Sequence, residues 1–404
     1  MSNTILVINA GSSSIKFQLF ALSGGSGLER RLKGQIDGIG VNPHLIAKDS
    51  TGAILVDATW TGPDVPAAPE ALARVVEFLK EYLGGKLPIA VGHRVVHGGI
   101  AFDAPTVVTP EIVAKLETFV SLAPLHQPNN LAPIKSILER LPHITQVACF
   151  DTAFHRGHPE LADRYAIPEP LYREGVRRYG FHGLSYEYIA SRLKSAAPHL
   201  ANGKVVVAHL GSGASMCALG NGHSIDSSMG FTALDGLPMG TRPGQLDAGI
   251  VLYLLQQKGM TAPQIERFLY NDCGLKGLSG LSNDVRVLLG SDDRRARLAI
   301  DYFVHRIALM AGSLGAALEG IDGFVFTAGV GENAPAIRSA VVKRLAWLGA
   351  ELDDQANLRG ADVISSKHSR IEVRVIATDE ELMIAKHTME CLAAAKMRTT
   401  EQQQ

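Results

Sequence analysis

Short, mainly apolar runs that end in polar, glycine-rich loops constrain the fold of this chain more than any other feature. Runs of this length between such loops predict buried strands. The runs and the loops that follow them are 146–150 before Asp151, 204–208 before 209–213, 323–326 before 327–333, and 373–377 before 378–381. Amphipathic stretches such as residues 70–83, with apolar side chains at helical spacing, separate them. We therefore expect an α/β protein with a ligand site at the carboxyl ends of its strands.

The length and the charge balance exclude several classes of protein. The chain has 404 residues, of which 46% are hydrophobic, so it has ample material for packed cores and for roughly two to three domains. Lys and Arg number 39 and Asp and Glu number 40, which gives a net charge of −1. This balance argues against a protein that coats nucleic acid or an acidic membrane. We expect neither of these partners.

Neither a membrane span nor a secretion signal is expected. No stretch reaches the ~20 uninterrupted apolar residues of a membrane span, and the N-terminal segment lacks the basic region of a signal peptide. The cysteines are Cys149, Cys217, Cys273 and Cys391, which are far apart and form no disulfide or zinc pattern. These features predict free thiols and a cytoplasmic location.

A short internal repeat points to two related domains. Residues 7–12, VINAGS, align with residues 207–212, VAHLGS, at an offset of 200. Each copy has an apolar strand, a turn of small residues and a second strand. A turn rich in glycine and serine exposes backbone N–H groups, which hold phosphate without much positive charge. The repeat therefore predicts two hairpins whose turns bind a polyphosphate.

Common signatures of other enzymes are absent from the sequence. It contains neither GxxxxGKS/T nor GxGxxG, which argues against a Walker-type NTPase and a simple Rossmann dehydrogenase. The GxSxG motif is absent as well, which weakens a hydrolase interpretation. His93 and His97 stand four residues apart, but their segment is β-branched and bounded by glycine, and no third ligand accompanies them. We do not predict a metal site there.

Segments along nearly the whole chain resemble the acetate kinase family, and they occur in that family's order. They are VINAGSSSIKFQLF from Val7, GHRVVHGG from Gly92, APLHQP from Ala123, FDTAFH from Phe150, RYGFHGLSYEYI from Arg178, AHLGSGAS from Ala208, DSSMGFTALDGLPMGTRPGQLD from Asp226, GLSGLSNDVR from Gly277, FTAGVGENAPAIR from Phe326 and TDEELMIA from Thr378. The order and extent of these segments make the resemblance highly specific.

The resemblance implies both a fold and a reaction. The implied fold has two ribonuclease-H-like domains of the actin/Hsp70/sugar kinase superfamily, which flank a nucleotide cleft. Residues 1–150 with the C-terminal helix 383–404 would form the first domain, and residues 151–382 the second, with most nucleotide contacts. The implied activity is the reversible, Mg²⁺-dependent transfer of the ATP γ-phosphoryl group to acetate, which gives acetyl phosphate and ADP, in a homodimer. Mn²⁺ is an alternative metal.

The resemblance also implies which residues bind metal and nucleotide. Asn9 and Glu380 look like the pair associated with magnesium, which prefers hard oxygen ligands. Without the resemblance, Glu380 would be interpreted as a solvated acid at the start of a helix. The residues implied to contact the nucleotide are Ser12, Ser14, Lys16, His209, Leu210, Gly211, Ser212, Gly213, Asp284, Val285, Arg286, Gly329, Val330, Gly331, Glu332 and Asn333.

Phosphoryl transfer depends mainly on positioning and on neutralising the moving group, and the resemblance implies four polar residues for it. Arg94 would bind the acceptor carboxylate, since a guanidinium matches two oxygens. His182 and Arg242 would stabilise the transferred phosphoryl group. Asp151 is the family's acid/base candidate, but a carboxylic acid is already ionised at neutral pH, so we favour a role in orienting Arg94 or metal-bound water. The implied alkyl pocket consists of Val96, Leu125, Phe181 and Ala233.

Two positions depart from the family pattern. Ser212 replaces the usual Asn, which leaves its nucleotide contact open, and Ala233 replaces the usual Pro, which leaves the preferred acyl chain length open. Val96 favours acetate, and the nearest alternative is a propionate or butyrate kinase on the same scaffold. An alternative from another class is a non-enzymatic, ATP-switched protein like Hsp70 and actin, but it does not explain Arg94, His182 and Arg242.

Overall fold

The chain folds into two compact units. The computed structural model describes residues 1–11, 13–23, 27–124 and 126–401. Met1–Ala153 and Asp379–Gln404 form the first unit, and Phe154–Thr378 form the second. The first unit is therefore built from two separate parts of the sequence, whereas the second is continuous.

The boundaries of the first unit differ slightly from the predicted ones. Residues 151–153 and 379–382 belong to the first unit, although the sequence predicts them in the second domain. Asp151 stays with the first sheet because its N–H donates to the carbonyl of Val95 at 3.1 Å. The last helix begins at Glu380 and packs on strands of the first unit. Tertiary contacts of this kind set the boundaries of the units, which differ from the predicted ones by these few residues.

A mixed sheet forms the centre of the first unit. Its strands are β1 (Thr4–Ala10), β2 (Ser14–Ser23), β3 (Gly27–Asp37), β4 (His44–Asp49), β5 (Ile54–Thr59), β6 (Ala90–Val95), β7 (Thr106–Val107) and β8 (Thr145–Phe150). They are ordered β5-β4-β3-β2-β1-β6-β8-β7, and β1, β6 and β8 run parallel. β1 reads TILVINA and is buried at every residue except the partly exposed Asn9. This pattern is typical of a central strand that is covered on both faces.

Helices cover both faces of this sheet. They are α1 (Ala68–Tyr82), α2 (Pro110–Glu117), α3 (Gln127–Arg140) and α16 (Glu380–Glu401). Val91 of β6 belongs to the apolar core beneath α1 and α3, and its neighbour Gly92 faces α16 because side chains alternate along a strand. A Cβ atom at Gly92 would lie 2.4 Å from Thr388 Oγ1 and 2.6 Å from Ile384 Cγ2. Residue 92 must therefore be glycine for α16 to lie this close to β6.

The second unit has a smaller mixed sheet. Its strands are β9 (Lys204–Leu210), β10 (Ala214–Gly220), β11 (His223–Ser227), β12 (Gly323–Thr327) and β13 (Glu372–Val375). The order is β11-β10-β9-β12-β13, and β9, β12 and β13 run parallel. This arrangement places the loops after β9, β12 and β13 at one edge of the sheet, as the polar loops in the sequence predict.

Helices of very different length surround the second sheet. They are α4 (Glu160–Asp163), α5 (Glu169–Arg173), α6 (Gly183–Ala196), α7 (Pro198–Ala201), α8 (Ala248–Gln256), α9 (Ala262–Asn271), α10 (Gly274–Ser279), α11 (Val285–Leu289), α12 (Arg294–Ala317), α13 (Ala328–Asn333), α14 (Pro335–Arg344) and α15 (Asp354–Leu358). α6 packs against β9, and α12 packs against β9, β10 and β11. Asp293 caps α12 by accepting a hydrogen bond from the N–H of Arg295 at 2.7 Å.

The two sheets share a strand order, which confirms the predicted repeat. With β4, β5 and β7 set aside as additions at the edges, the first sheet reads β3-β2-β1-β6-β8 and the second reads β11-β10-β9-β12-β13. Each begins with a hairpin, β1–β2 or β9–β10, whose first strand pairs in parallel with a later strand. The first hairpin turns between Ala10 and Ser14 and the second at residues 211–213, and both turns follow the carboxyl ends of these first strands.

No helix in the described part of the chain is long and apolar enough to cross a membrane. Of the cysteines, Cys149 and Cys217 are buried, and Cys273 and Cys391 are partly exposed. Burial raises the pKa of the Cys217 thiol to about 12, so this side chain stays uncharged within the core.

We expect Gly92→Ala to destabilise the first unit, because the new methyl group would press on Thr388 and Ile384. Overpacking of this kind costs about 1–3 kcal/mol, which corresponds to a fall in Tm of roughly 2–10 °C. Gly157→Ala is the control, since a Cβ atom there meets nothing within 4 Å. Calorimetry should show the loss only for Gly92→Ala. An unchanged Tm would contradict the close contact between α16 and β6.

Candidate functional site

An ion pair between Arg94 and Asp151 lies at the carboxyl edge of the first sheet. Arg94 on β6 is opposite Cys149 of the parallel strand β8, and Asp151 follows β8 directly. The guanidinium donates from Nε to Asp151 Oδ1 at 2.9 Å and from Nη2 to Asp151 Oδ2 at 2.6 Å. The Asp151 side chain is 2% exposed and that of Arg94 is 20% exposed. This two-point contact fixes the plane of the Arg94 guanidinium.

Further acidic side chains surround Arg94. Glu380 Oε2 lies 3.8 Å from Arg94 Nε, and Glu381 Oε1 accepts from Asn9 Nδ2 at 3.4 Å. Burial raises the pKa of Glu380 to about 7; Arg94 opposes the rise, and the charges of Asp151 and Glu381 add to it. Negative charge is therefore in excess here, and an added cation would relieve it.

The oxygen atoms at this edge suit a hard divalent cation. Asn9 and Glu380, the predicted metal residues, both lie beside Arg94, and Asn9 Oδ1 is 3.5 Å from Arg94 Nη1. Within the described chain, no group of three or more His, Cys, Asp or Glu side chains could hold a metal ion by itself. Mg²⁺ commonly takes one or two protein ligands and completes its shell with water and phosphate oxygens. An amide oxygen and a carboxylate therefore fit a Mg²⁺ ion that also binds phosphate.

The first hairpin brings Lys16 beside these groups. Lys16 on β2 is the cross-strand partner of Asn9 on β1, and its side chain is exposed. The N–H of Gly11 donates to the carbonyl of Ser14 at 2.8 Å, which closes the turn. Ser12, another predicted phosphate contact, lies outside the described residues. Of the predicted phosphate residues of this hairpin, the structure thus places Ser14 at the turn and Lys16 next to Asn9.

Two stacked imidazoles stand beside the turn of the second hairpin. The ring centroids of His182 and His209 are 4.2 Å apart, and the ring planes differ by 15°. Each ring is held through Nδ1, that of His182 to Ser215 Oγ at 2.8 Å and that of His209 to Ser185 Oγ at 2.8 Å. The Nε2 atoms lie near the turn: a Cβ atom at residue 213 would be 3.4 Å from Nε2 of His182, and one at residue 211 would be 3.8 Å from Nε2 of His209.

Arg242 converges on the same turn. A Cβ atom at Gly213 would lie 2.8 Å from Arg242 Nη2 and 3.4 Å from His182 Nε2. Nη1 of Arg242 donates to the carbonyl of Ala233 at 2.8 Å, which fixes the guanidinium. Burial lowers the pKa of Arg242, and Tyr270 opposes the fall, but a guanidinium stays charged in a protein. The fixed guanidinium of Arg242 and the imidazole of His182 therefore both lie next to Gly213. Because this residue has no side chain, an anion could bind there.

A cavity of about 470 Å³ adjoins this turn within the second unit, which is a usual size for a small-molecule site. The predicted nucleotide residues in its lining are Gly211, Ser212, Asp284, Val285, Arg286, Gly329, Val330 and Asn333. The predicted residues of this unit that do not line it are His209, Leu210, Gly213, Gly331 and Glu332. Leu210 is completely buried, so only its backbone remains available to a ligand.

Other lining residues are not among the predicted nucleotide contacts. They are Met239, Gly240, Leu275, Asn283, Phe303 and Ala334. Four of them belong to the segments that resemble the acetate kinase family: Met239, Gly240, Asn283 and Ala334. This membership is the signal in the sequence that could have identified them. Leu275 and Phe303 lie on α10 and α12, and no local pattern distinguishes them from other apolar residues of a helix. Only the tertiary fold brings these two side chains to the cavity.

A buried arginine supports one wall of the cavity. Arg338 on α14 is 1% exposed. Its guanidinium donates to the carbonyls of Gly331 at 3.0 Å and Glu332 at 2.8 Å, and to Asn357 Oδ1 at 2.7 Å. These contacts fix the carboxyl end of α13, which ends at Asn333 in the cavity lining. Arg338 is the last residue of the family segment that begins at Phe326, and this membership is its signal in the sequence.

The residues of the predicted alkyl pocket belong to different units. Val96 of the first unit is buried, and its N–H donates to Asn130 Oδ1 at 2.9 Å. Phe181 and Ala233 belong to the second unit, where Phe181 is buried and Ala233 is partly exposed. Leu125 lies outside the described residues. The pocket as a set stays a prediction.

Comparisons with known proteins agree along nearly the whole chain. The model of the acetokinase family matches residues 4–386. A protein named acetate kinase from Nitrobacter hamburgensis is 58% identical over 390 residues, which cover 96% of each chain.

Solved structures are similar over the same extent. A propionate kinase from Francisella tularensis has a TM-score of 0.87 at 37% identity and covers 96% of this chain and 100% of that chain. An acetate kinase from Porphyromonas gingivalis has a TM-score of 0.83 at 37% identity and covers 97% and 100%. These relatives have the α/β fold described above. The chain therefore belongs to the acetokinase family.

Proposed function

We propose that the protein catalyses the reversible transfer of the γ-phosphoryl group of ATP to acetate, which gives acetyl phosphate and ADP. The observation that carries the proposal is the convergence of Arg242 Nη2 and His182 Nε2 on Gly213, beside a cavity lined by predicted nucleotide residues. A fixed cation and an imidazole aimed at one place suit the charge of a phosphoryl group in transfer. The names of the relatives from Nitrobacter hamburgensis and Porphyromonas gingivalis support acetate as the acceptor.

In this proposal Arg94 binds the acceptor carboxylate, and Asp151 keeps Arg94 in position. A carboxylate oxygen of acetate forms a bond to the γ-phosphorus while the bond from phosphorus to the ADP oxygen breaks. No proton has to be removed first, because acetate is ionised at neutral pH. Both oxygens of Asp151 are engaged by Arg94, which supports an orienting role for Asp151 over that of a general base.

The second unit would hold most of the nucleotide. The backbone N–H groups of turn 211–213 suit the phosphates, and residues 284–286 and 329–333 would contact the nucleoside. Ser212 lines the cavity, which supports a nucleotide contact at this position although the family usually has Asn there. Ser12, Ser14 and Lys16 of the first hairpin remain predicted phosphate contacts.

Asn9 and Glu380 would hold Mg²⁺, with Mn²⁺ as an alternative. The raised pKa of Glu380 beside Asp151 and Glu381 supports a cation at this edge. When bound, the metal would neutralise charge on the phosphate oxygens.

Acetate-dependent release of ADP from MgATP tests the proposed function, and acetyl phosphate is trapped as its hydroxamate. We expect Arg242→Ala and Arg94→Ala to lower kcat about 10³-fold or more, the scale for arginines that stabilise the transferred group. The KM for ATP should stay nearly unchanged, because neither side chain lines the cavity. Arg94→Ala should also raise the KM for acetate.

Arg164→Ala is the matched control, because Arg164 makes ion pairs with Glu160 and Glu169, both at 2.6 Å, away from the site. Arg94→Ala leaves Asp151 buried without its partner, which lowers stability, so each variant is assayed well below its own Tm. ADP release that does not depend on acetate would contradict the function. Near-normal kcat in both site variants would contradict the residue assignment.

The substrate preference depends on residues 96 and 233. A propionate kinase is among the similar structures, and Ala233 lacks the ring carbons of the usual proline. Val96 still restricts the space, so we propose that acetate is preferred and propionate is used appreciably. The hydrogen bond from Arg242 uses the carbonyl of Ala233, which a proline would retain.

We expect Ala233→Pro to lower the ratio of kcat/KM for propionate to that for acetate, and Val96→Ala to raise it. One methylene in an apolar pocket is worth ~1–3 kcal/mol of discrimination, so each shift should be roughly 5- to 160-fold. A panel from formate to butyrate measures the ratio in the three proteins. If it moves in neither variant, residues 96 and 233 do not line the pocket.

We also propose that the protein is a homodimer with α8 in its interface. α8 reads AGIVLYLLQ and contains no buried residue along its described length. Ile250, Leu252, Tyr253 and Leu255 are between 41% and 53% exposed. Apolar side chains gathered on one exposed helix are typical of an interaction surface, and a second copy of the chain would cover them.

Leu252→Glu combined with Leu255→Glu should convert the dimer to a monomer in analytical ultracentrifugation, because two charges would be buried without partners. Leu161→Glu is the control, since Leu161 is 90% exposed outside α8. Circular dichroism checks that the fold is kept. A dimer that survives the double substitution would place the interface elsewhere, and a monomeric parent protein would contradict the dimer itself.

We place the protein in the cytoplasm, which the wide spacing of the four cysteines in the sequence supports. We also assign both units to the actin/Hsp70/sugar kinase superfamily. The strand order that the two sheets share supports this assignment.

A further inference from the structure

We propose that a hydroxyl relay from Tyr186 through Ser215 to His182 fixes the tautomer of the His182 ring. Tyr186 and Ser215 are then positioning residues, which act through His182 and do not touch the substrate. The inference rests on the proposed function, in which His182 donates a hydrogen bond to the transferred phosphoryl group.

The relay is buried and lies wholly within the second unit. Tyr186 is on α6, about one turn after His182, and Ser215 is on β10. Ser215 Oγ lies 2.8 Å from His182 Nδ1 and 2.5 Å from the hydroxyl oxygen of Tyr186. Ser215 and Tyr186 are completely buried, so bulk water does not compete for these hydrogen bonds. The serine hydroxyl thus connects the phenol to the imidazole.

The direction of the relay follows from the hydrogens that each group carries. Ser215 has one hydroxyl hydrogen, so it donates to only one of these two neighbours, and it accepts from the other when that hydrogen stays within the relay. A phenol is a stronger acid than an aliphatic alcohol and therefore the better donor. Tyr186 O–H then donates to Ser215 Oγ, and Ser215 O–H donates to His182 Nδ1. A neutral imidazole that accepts at Nδ1 carries its proton on Nε2.

The proton on Nε2 lies on the side where an anion would bind. Nε2 is the His182 atom nearest the open side of Gly213, where Arg242 Nη2 also lies. An N–H group here donates to a phosphoryl oxygen without first taking up a proton. In the opposite tautomer a lone pair at Nε2 would face the phosphoryl oxygens and repel them. The relay therefore decides whether His182 favours or opposes the transfer.

The neighbouring ring provides an internal comparison. His209 stacks on His182 but contacts a different hydroxyl, Ser185 Oγ, which lies 2.9 Å from Thr378 Oγ1. Ser185 is as completely buried as Ser215. Ser185→Ala therefore removes a buried hydroxyl from the stacked partner and leaves the contacts of His182 with Ser215 in place.

Steady-state kinetics of Ser215→Ala and Tyr186→Phe test the relay. We expect kcat to fall about 10- to 100-fold in each variant. Losses of this size are typical when the hydrogen-bond partner that orients a histidine in a site is removed. The KM values for acetate and MgATP should change less than about threefold, because binding of both substrates does not use the Nε2 proton. Ser185→Ala should instead act mainly on the KM for nucleotide, since His209 is a predicted nucleotide residue.

Tyr179→Phe is the neutral control, because its buried phenol donates to the carbonyl of Gly175 at 2.7 Å and takes no part in the relay. Its kcat should stay within about twofold of the parent value. Circular dichroism and Tm establish that each variant is folded at the assay temperature. Unchanged kcat in both Ser215→Ala and Tyr186→Phe would overturn the relay.

Nitrogen-15 NMR of protein with labelled histidines shows directly which ring nitrogen of His182 carries the proton. The signals of His182 are identified by their loss in His182→Gln. We expect protonation at Nε2 alone in the parent protein and a mixture of tautomers in Ser215→Ala. Protonation of His182 at Nδ1, or at both nitrogens, would overturn the relay even if the protein catalyses the proposed reaction. The expected tautomer without acetate-dependent ADP release would instead contradict the proposed function and leave the relay standing.

Discussion

Parallel pairing of β1 with β6 and of β9 with β12 is the constraint on which both parts of the candidate site depend. Parallel strands share a carboxyl edge, so side chains distant in sequence, such as Asn9, Arg94 and Asp151, come together where their paired strands end. A shift of one residue in either pairing would turn these side chains to the opposite face of the sheet. The apolar residues of β1, buried on both faces, hold the register. The apolar core therefore keeps the side chains of the candidate site on the correct face of the sheet.

The two units offer opposite electrostatic environments at their strand ends. In the first unit, Asp151, Glu380 and Glu381 surround Arg94, and the pKa of Glu380 rises to about 7. In the second, Arg242 and the imidazole of His182 gather around a residue without a side chain. The first environment is completed by a cation and the second by an anion.

The sequence predicts those parts of the structure that depend on local pattern. Alternating and continuous apolar runs predict the hairpins, and the offset between residues 7–12 and 207–212 predicts that they are related. The roles of Arg94, Asp151, His182 and Arg242 come from the family resemblance, because a lone arginine or histidine has no local signature.

Features that arise from packing are not visible in the sequence. Arg338 belongs to a family segment, but only the structure shows that α14 buries it against two carbonyls of α13. Phe303 and Leu275 reach the cavity only through the paths of their helices. The relay from Tyr186 to Ser215 joins residues 29 positions apart in sequence. Such contacts require the three-dimensional arrangement of elements that have ordinary local patterns.

The tight approach of α16 to Gly92 has a consequence for the order in which the protein matures during synthesis. The sheet of the first unit is translated early, but the helix that covers it follows the whole of the second unit, Phe154–Thr378. At 5–20 residues per second this delay is roughly 10–45 s. During that time the apolar surface of β1, β6 and β8 that later receives α16 stays open on the nascent chain, while the second unit can complete its own core. The second unit can therefore complete its fold before the first unit does. The first unit is the one that a ribosome-associated chaperone would need to shield.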